Sequence, residues 1–381
     1  MNGMYLMCKD TPVIKINTNE GEYEILTPEL IPYQLRGKFR EMPSELPKTK
    51  YELNQYLIAG QKNYEAIISY AASRVLPLTR ENAKKIYQLF GYEQLQDEYS
   101  KAKIAFLCKS VSLQDNYWFK TQNEDIKWED VNLRTNHLSE IVAQVALHGT
   151  SLSLTGDVCT PELNGQGAYA KAWKREHGDL WLHKTGAGQT DTESKIEVMT
   201  SKLLDKCNVN HIRYFDGLSN NRYTCKCKCM TTDNTSMLPG MDLIAYCNVN
   251  GINPDSEIMR IDSDSIYKMW IVDYLISNRD RHGMNWGYFY DANTMEIKGC
   301  HPLYDHNNAF DESLMQNPDN DYLFDRRMTM RQAAHKAMQK TDFHFTDTIN
   351  RDDFMTDAQY HSFMERANEL NIPIKLPYLL S

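Results

Sequence analysis

The chain has 381 residues, enough for two or three packed units at roughly 150 residues per domain. Hydrophobic residues at 41% and charged residues at 24% are ordinary for a globular protein and exclude a disordered or fibrous one. A net charge of −9 argues against a protein that grips a nucleic-acid backbone directly, and no window nears the ~18 apolar residues of a membrane span.

Met1 to Asp10 has neither the basic segment nor the apolar run of a signal peptide, so a cytoplasmic protein is expected. Residues 4 to 27 read as a small sheet, with Val13–Ile16 and Glu22–Leu26 flanking a turn at Asn19-Glu20-Gly21. From 49 to about 109 the pattern is helical. It is clearest where Thr79 can cap a helix whose Ala83, Ile86, Leu89 and Phe90 form one stripe, ended by Gly91. Residues 110 to 150 mix Asn, Asp, Ser and aromatic side chains, and a domain boundary is placed near 150.

The next region alternates strand and turn. Short strands are expected at Leu152–Leu154, Tyr169–Trp173 and Leu180–Lys184, with turns at residues 164–167 and 177–179. A helix follows from Glu193 to Asp205, buried through Ile196, Met199, Leu203 and Leu204, and strands return at Ile212–Phe215 and Tyr223–Met230. Beyond Pro239 the chain becomes largely helical, including Ile266–Ile276 and segments near 329–340 and 357–369. The expected organisation is therefore an α+β protein with units at 1–150, 151–238 and 239–381.

Cysteine usage fits reduced thiols: nine is an odd count, and the spacing outlines no disulfide framework. Cys225, Cys227 and Cys229 alternate with Lys226 and Lys228, which puts the thiols on one face of a strand. A zinc site would want a two-residue spacer and a second ligand pair, so a structural role is expected.

The chemistry concentrates in Asn278-Arg279-Asp280-Arg281-His282-Gly283-Met284-Asn285 and in Pro302-Leu303-Tyr304-Asp305. Phosphoryl transfer needs a carboxylate to orient and deprotonate a hydroxyl, and oxygen ligands to hold Mg²⁺ against ATP phosphates. In protein kinases these are an Asp, an Asn five residues later, and a second Asp beyond a hairpin; Asp280, Asn285 and Asp305 follow that order. His282 is read as shaping the loop beside Asp280. Upstream, Lys184 ends an apolar strand and can reach α- and β-phosphates while pairing with a helix glutamate. Glu193 and Glu197 share a helix face and both qualify. The turn Gly165-Gln166-Gly167-Ala168-Tyr169-Ala170-Lys171 can bring backbone N–H groups close to phosphate.

These letters resemble the HipA-like serine/threonine kinases, whose core reads Asn-x-Asp-x-His-x-x-Asn and then Pro-x-Tyr-Asp. Asn278, Asp280, His282 and Asn285 match the first pattern, and Pro302, Tyr304 and Asp305 the second. Gly167 and Lys171 match the family's Gly-x-x-x-Lys ahead of Lys184, and Glu197 fits its helix glutamate better than Glu193 does. The segment Ser112–Trp118, with Trp128 and Asn132, is similar to the N-terminal part of HipA-like proteins from Firmicutes. The resemblance implies a bilobal protein-kinase-like fold with an N-terminal α/β accessory domain, ATP and Mg²⁺, and a protein Ser/Thr acceptor. For some members it also implies a toxin role restrained by a small DNA-binding antitoxin. The family's phosphate loop carries an autophosphorylated serine, whereas residues 165–171 contain none. The Asp-Arg-His-x-x-Asn run is also similar to phosphoinositide 3/4-kinases, which keeps a lipid or small-molecule acceptor open; a separate alternative is a kinase-like half that serves as a nucleotide-binding regulatory module without turnover.

Overall fold

The computed structural model describes residues 3–40, 42, 47–92, 97–154, 159–164, 167–187, 191–317, 319, 321–322 and 324–373. It is a mixed helix and sheet structure with three antiparallel sheets among those residues. No helix among them is long and apolar enough to cross a membrane.

The first sheet has the order β3-β2-β1-β4, from Met4–Cys8 (β1), Thr11–Asn17 (β2), Glu22–Ile25 (β3) and Tyr117–Thr121 (β4). Alternation along β1 sends Met4, Leu6 and Cys8 into one core and Tyr5 and Met7 into another, so both faces are covered. The first of these cores packs on the helices Lys50–Ser73 and Glu98–Leu107. Thr49 and Glu52 form a reciprocal cap that starts the former helix.

The expected helix after Thr79 begins later, at Ala83, with Asn82 in left-handed conformation as its first cap and no capping bond from Thr79. Gly91, at a φ of 70°, ends it as expected, with Tyr92 N–H donating back to the Tyr87 carbonyl. Leu152–Leu154 is not a strand: the segment makes no ladder, and Leu152 is exposed. Three leucine-rich residues carry an apolar signal but no partner strand to pair with.

The second sheet, β5-β6-β8-β7, comprises Lys171–Glu176 (β5), Asp179–Lys184 (β6), Tyr214–Ser219 (β7) and Arg222–Lys228 (β8). The helix Thr192–Leu204 packs on it through Val198, with Tyr214, Cys225 and Cys227 beside that residue in a small core. Burial pushes the Cys227 thiol up to about 12, as suits an inert core sulfur. Cys229 does not join them: β8 ends at Lys228, and Cys229 packs against the separate cluster of Trp118 and Trp128.

The third sheet, β11-β10-β9, joins Thr235–Pro239 (β9), Gly287–Asp291 (β10) and Ile297–Cys300 (β11). It lies against the largest core, which includes the helix Pro254–Leu275 through Ile266, Trp270 and Tyr274, and the helices Met330–Met338 and Asp357–Glu369. The motif residues 278–285 follow that long helix directly, on the loop leading into β10.

Candidate active site

Lys184, at the end of β6, is the hub of the site. Register places it opposite Lys171 on β5 and Cys225 on β8. Its ammonium donates to Asp305 Oδ1 at 2.7 Å, to the Tyr214 hydroxyl at 3.1 Å and to Glu197 Oε2 at 3.4 Å. Burial alone would push this lysine's pKa down, but Asp305 and Glu197 outweigh it and hold the ammonium well above its usual range.

Of the two helix glutamates, Glu197 is the partner. It is fully buried, and its second oxygen accepts from the His306 backbone N–H at 2.8 Å, so it ties the helix to the chain just after Asp305. Burial pushes its carboxyl up against the opposing pull of Lys184. Glu193, one turn earlier, instead accepts from the Ala187 backbone N–H. Asp305 is held in left-handed backbone conformation, at a φ of 61°. Burial raises its carboxyl, and Lys184 and Lys171 more than offset that, leaving it well below the usual carboxylate range.

Lys171 has no hydrogen-bond or ion-pair partner among the described residues. Burial, with Arg80 and Lys184 nearby, holds its pKa well below the usual lysine range. Two lysines opposite each other on adjacent strands repel, so this end of the sheet is ready for an anion. Gly167 has a φ of 95°, and a β-carbon there would come 2.7 Å from Lys171 Nζ, which explains glycine at that position. Gly165 lies outside the described residues.

The motif loop is braced from beneath. Arg281 and Asp273 form a fully buried ion pair at 2.9 Å. The Asn278 amide donates to Asp273 Oδ1 at 2.9 Å, and the Tyr322 hydroxyl to Asp273 Oδ2 at 2.5 Å. Arg281 Nη1 also donates to the carbonyls of Asn285 at 2.5 Å and Tyr304 at 3.2 Å, linking the two sequence motifs. Above this brace, Asp280 Oδ2 accepts from Asn308 Nδ2 at 2.9 Å. His282 Nε2 lies 3.6 Å from Asp280 Oδ1, while its Nδ1 accepts from the Met284 N–H at 3.2 Å, a loop-shaping arrangement. Asn285 Nδ2 donates to the Asp280 carbonyl at 2.9 Å. That fixes the amide flip so that Asn285 Oδ1 has no protein partner among the described residues.

A single cleft of about 430 Å³ gathers Gly167, Lys171, Lys184, Asp280, His282, Asn285 and Asp305 in its walls. Glu197 stands behind it, reached through Lys184. Sequence reasoning did not find Tyr214, Asn307 or Asn308. It also missed the contribution of the N-terminal half: the Gln114 carbonyl accepts from the Met237 N–H at 2.9 Å, and both residues line the cleft. Arg80 Nε donates to the Gly167 carbonyl at 3.0 Å, and the Glu81 N–H to the Ala168 carbonyl at 2.8 Å, so residues 80–81 pin the glycine turn. The Asn307-Asn308 pair, two residues after Asp305, was the one visible signal among these.

No protein-family model and no curated protein sequence matches the chain. Among solved structures it is similar to the Helicobacter pylori proinflammatory kinase CtkA, at 14% identity and a TM-score of 0.35, over 53% of this chain and 90% of that one. It is also similar to HipA of the Shewanella oneidensis MR-1 toxin–antitoxin system, solved with HipB and its operator DNA, at 11% identity and a TM-score of 0.47. That likeness covers 97% of this chain and 98% of the other.

Proposed function

We propose that the chain is an ATP- and Mg²⁺-dependent kinase of HipA-like, two-lobed form that transfers a phosphoryl group to a Ser or Thr hydroxyl of a protein. The observation that carries this reading is Lys184 bridging Glu197 and Asp305 in a cleft whose walls also hold Asp280 and Asn285. A strand lysine paired with a helix glutamate and set beside a metal-binding aspartate is the arrangement that positions ATP phosphates. The buried Lys171 amine, which has no hydrogen-bond or ion-pair partner among the described residues, would gain one from a phosphate bound there.

The residues fit magnesium, because Asn285 Oδ1 and the Asp305 carboxylate are hard oxygen donors in one cavity. Bound there, the ion would neutralise phosphate charge. Lys184 and Lys171 would hold the phosphates, and the Gly167 turn would let the backbone approach them. Asp280, oriented by Asn308, would take the acceptor's hydroxyl proton. The acceptor oxygen then bonds to the γ-phosphorus while the bond from that phosphorus to the bridging oxygen breaks, and ADP leaves with the electron pair. The protein's part is positioning and charge neutralisation.

Incubation with γ-labelled ATP and Mg²⁺ tests this reading. Acid-stable label on protein hydroxyls supports it, and nucleotide binding without any turnover would favour a regulatory module instead. The resemblance extends the proposal to a cytoplasmic toxin restrained by a small DNA-binding partner, which growth arrest on expression and its relief by that partner would test.

A further inference from the structure

Beside the nucleotide cleft lies a larger groove of about 900 Å³. Asn307 and Asn308 stand in the walls of both, and Asn308 holds Asp280. A ligand lying in the groove therefore ends at the carboxylate that would take the acceptor's proton.

The charge of the groove is one-sided. Among the described residues, Glu193, Asp311, Glu312 and Glu365 line it against a single guanidinium, Arg279, which is already bound to Asp311 at 2.9 Å. Its remaining titratable side chain is His361. Glu193 and Asp311 are engaged with backbone N–H groups. Glu312 and Glu365 are exposed and have no hydrogen bond or ion pair among the described residues, so they are free to meet a cation.

Asn307 adds an independent observation. Its side chain lines both cavities, the residue is only 8% exposed, and its carboxamide has no hydrogen-bond partner among the described residues. Facing the cavities, this amide offers a donor and an acceptor at the junction of groove and cleft, the pair that an extended peptide backbone matches.

We propose that the acceptor is a polypeptide segment with Lys or Arg beside its Ser or Thr, seated in this groove. Its main chain bonds the Asn307 amide, and its cations face Glu312 and Glu365. The inference rests on the phosphoryl-transfer reading of the cleft and names its acceptor. Charge complementarity favours this occupant, because an anionic inositol-lipid headgroup would meet four carboxylates of its own sign.

The test uses the full chain with ATP and Mg²⁺ and three synthetic peptides, identical except that Lys, Ala or Glu flanks one Ser. Vesicles containing phosphatidylinositol form a fourth arm. The Lys peptide should exceed the Glu peptide at least about tenfold in kcat/KM, mainly through KM, with a preference that weakens as salt is added. Glu312→Lys/Glu365→Lys should erase or invert the order, and a thermal shift with ATP reports that this variant is folded. Asn307→Ala should weaken every peptide alike. Equal rates for the three peptides or an unchanged order in the charge-reversed variant would overturn the groove assignment and leave the kinase reading standing, and label on lipid alone would overturn the protein acceptor too while leaving phosphoryl transfer in the cleft standing. No transfer to any acceptor would overturn both.

Discussion

Lys184 Nζ lies 2.7 Å from Asp305 Oδ1, a contact between residues 121 apart in sequence that closes β6 onto the loop after β11. Because Lys184 also compensates the fully buried Glu197, the site and the stability of the sheet depend on one ammonium. Lys184→Met should cost about 3–5 kcal/mol in urea unfolding, since it strands buried carboxylates. Adding Glu197→Gln should recover part of that loss, with a coupling of roughly 0.5–3 kcal/mol, while phosphoryl transfer stays absent.

Asn308 stands in the wall of the nucleotide cleft and orients Asp280 through a 2.9 Å bond to Oδ2. Asn308→Ala should lower kcat by about tenfold to a hundredfold through a misplaced base, with KM for ATP little changed. Steady-state kinetics at saturating acceptor separate the two parameters. Asn308→Asp should be worse, because it sets a like charge against Asp280.

The Arg281–Asp273 pair is fully buried, and it braces the loop from below. Arg281→Leu should destabilise the fold by about 3–5 kcal/mol by leaving Asp273 unpaired. Tyr322→Phe, which removes one donor to the same carboxylate, should cost about 1–3 kcal/mol. Arg281→Lys cannot restore the fork that reaches both Asp273 and the carbonyls of Asn285 and Tyr304.

Acid sensitivity should appear before the carboxylates titrate. Burial lowers the His301 pKa from 6.5 to about 4, and Nδ1 donates to the Pro302 carbonyl at 3.0 Å while Nε2 has no partner, as suits a neutral ring. Below its ordinary pKa the unfolded chain takes up the proton first. This contribution is therefore complete above pH 6.5 and is lost as pH falls towards about 4, amounting to about 3 kcal/mol. Buried His306, lowered in the same direction, steepens the loss. Unfolding free energies across that window check it, and His301→Gln should flatten the slope.

Much of this site was legible because its parts are short-range. Asp280, Asn285 and Asp305 belong to a loop and hairpin whose spacing is set by local chain geometry, and Lys184 by a strand whose alternation is plain. Helical spacing left the choice between Glu193 and Glu197 open, since both lie on one helix face; only the family resemblance favoured Glu197, and tertiary packing decides which meets Lys184. The pairing of β4 with β1 and of β9 with β10, the bond from Arg80 to the glycine turn and the reach of Gln114 into the cleft join distant segments with no periodic signal. Thr79 failed as a cap for a related reason: residues 80–81 are drawn to the glycine turn, and the helix starts only after them.

The central claim is tested most directly by measuring transfer from γ-labelled ATP in parallel for the wild-type chain and for Asp280→Asn and Asp305→Asn, with ATP binding followed alongside. Phosphoryl transfer in this cleft predicts acid-stable label on protein hydroxyls with the wild type and a loss of at least about a hundredfold in each variant, with Asp280→Asn still binding ATP. Label that persists at the wild-type rate in either variant would contradict it.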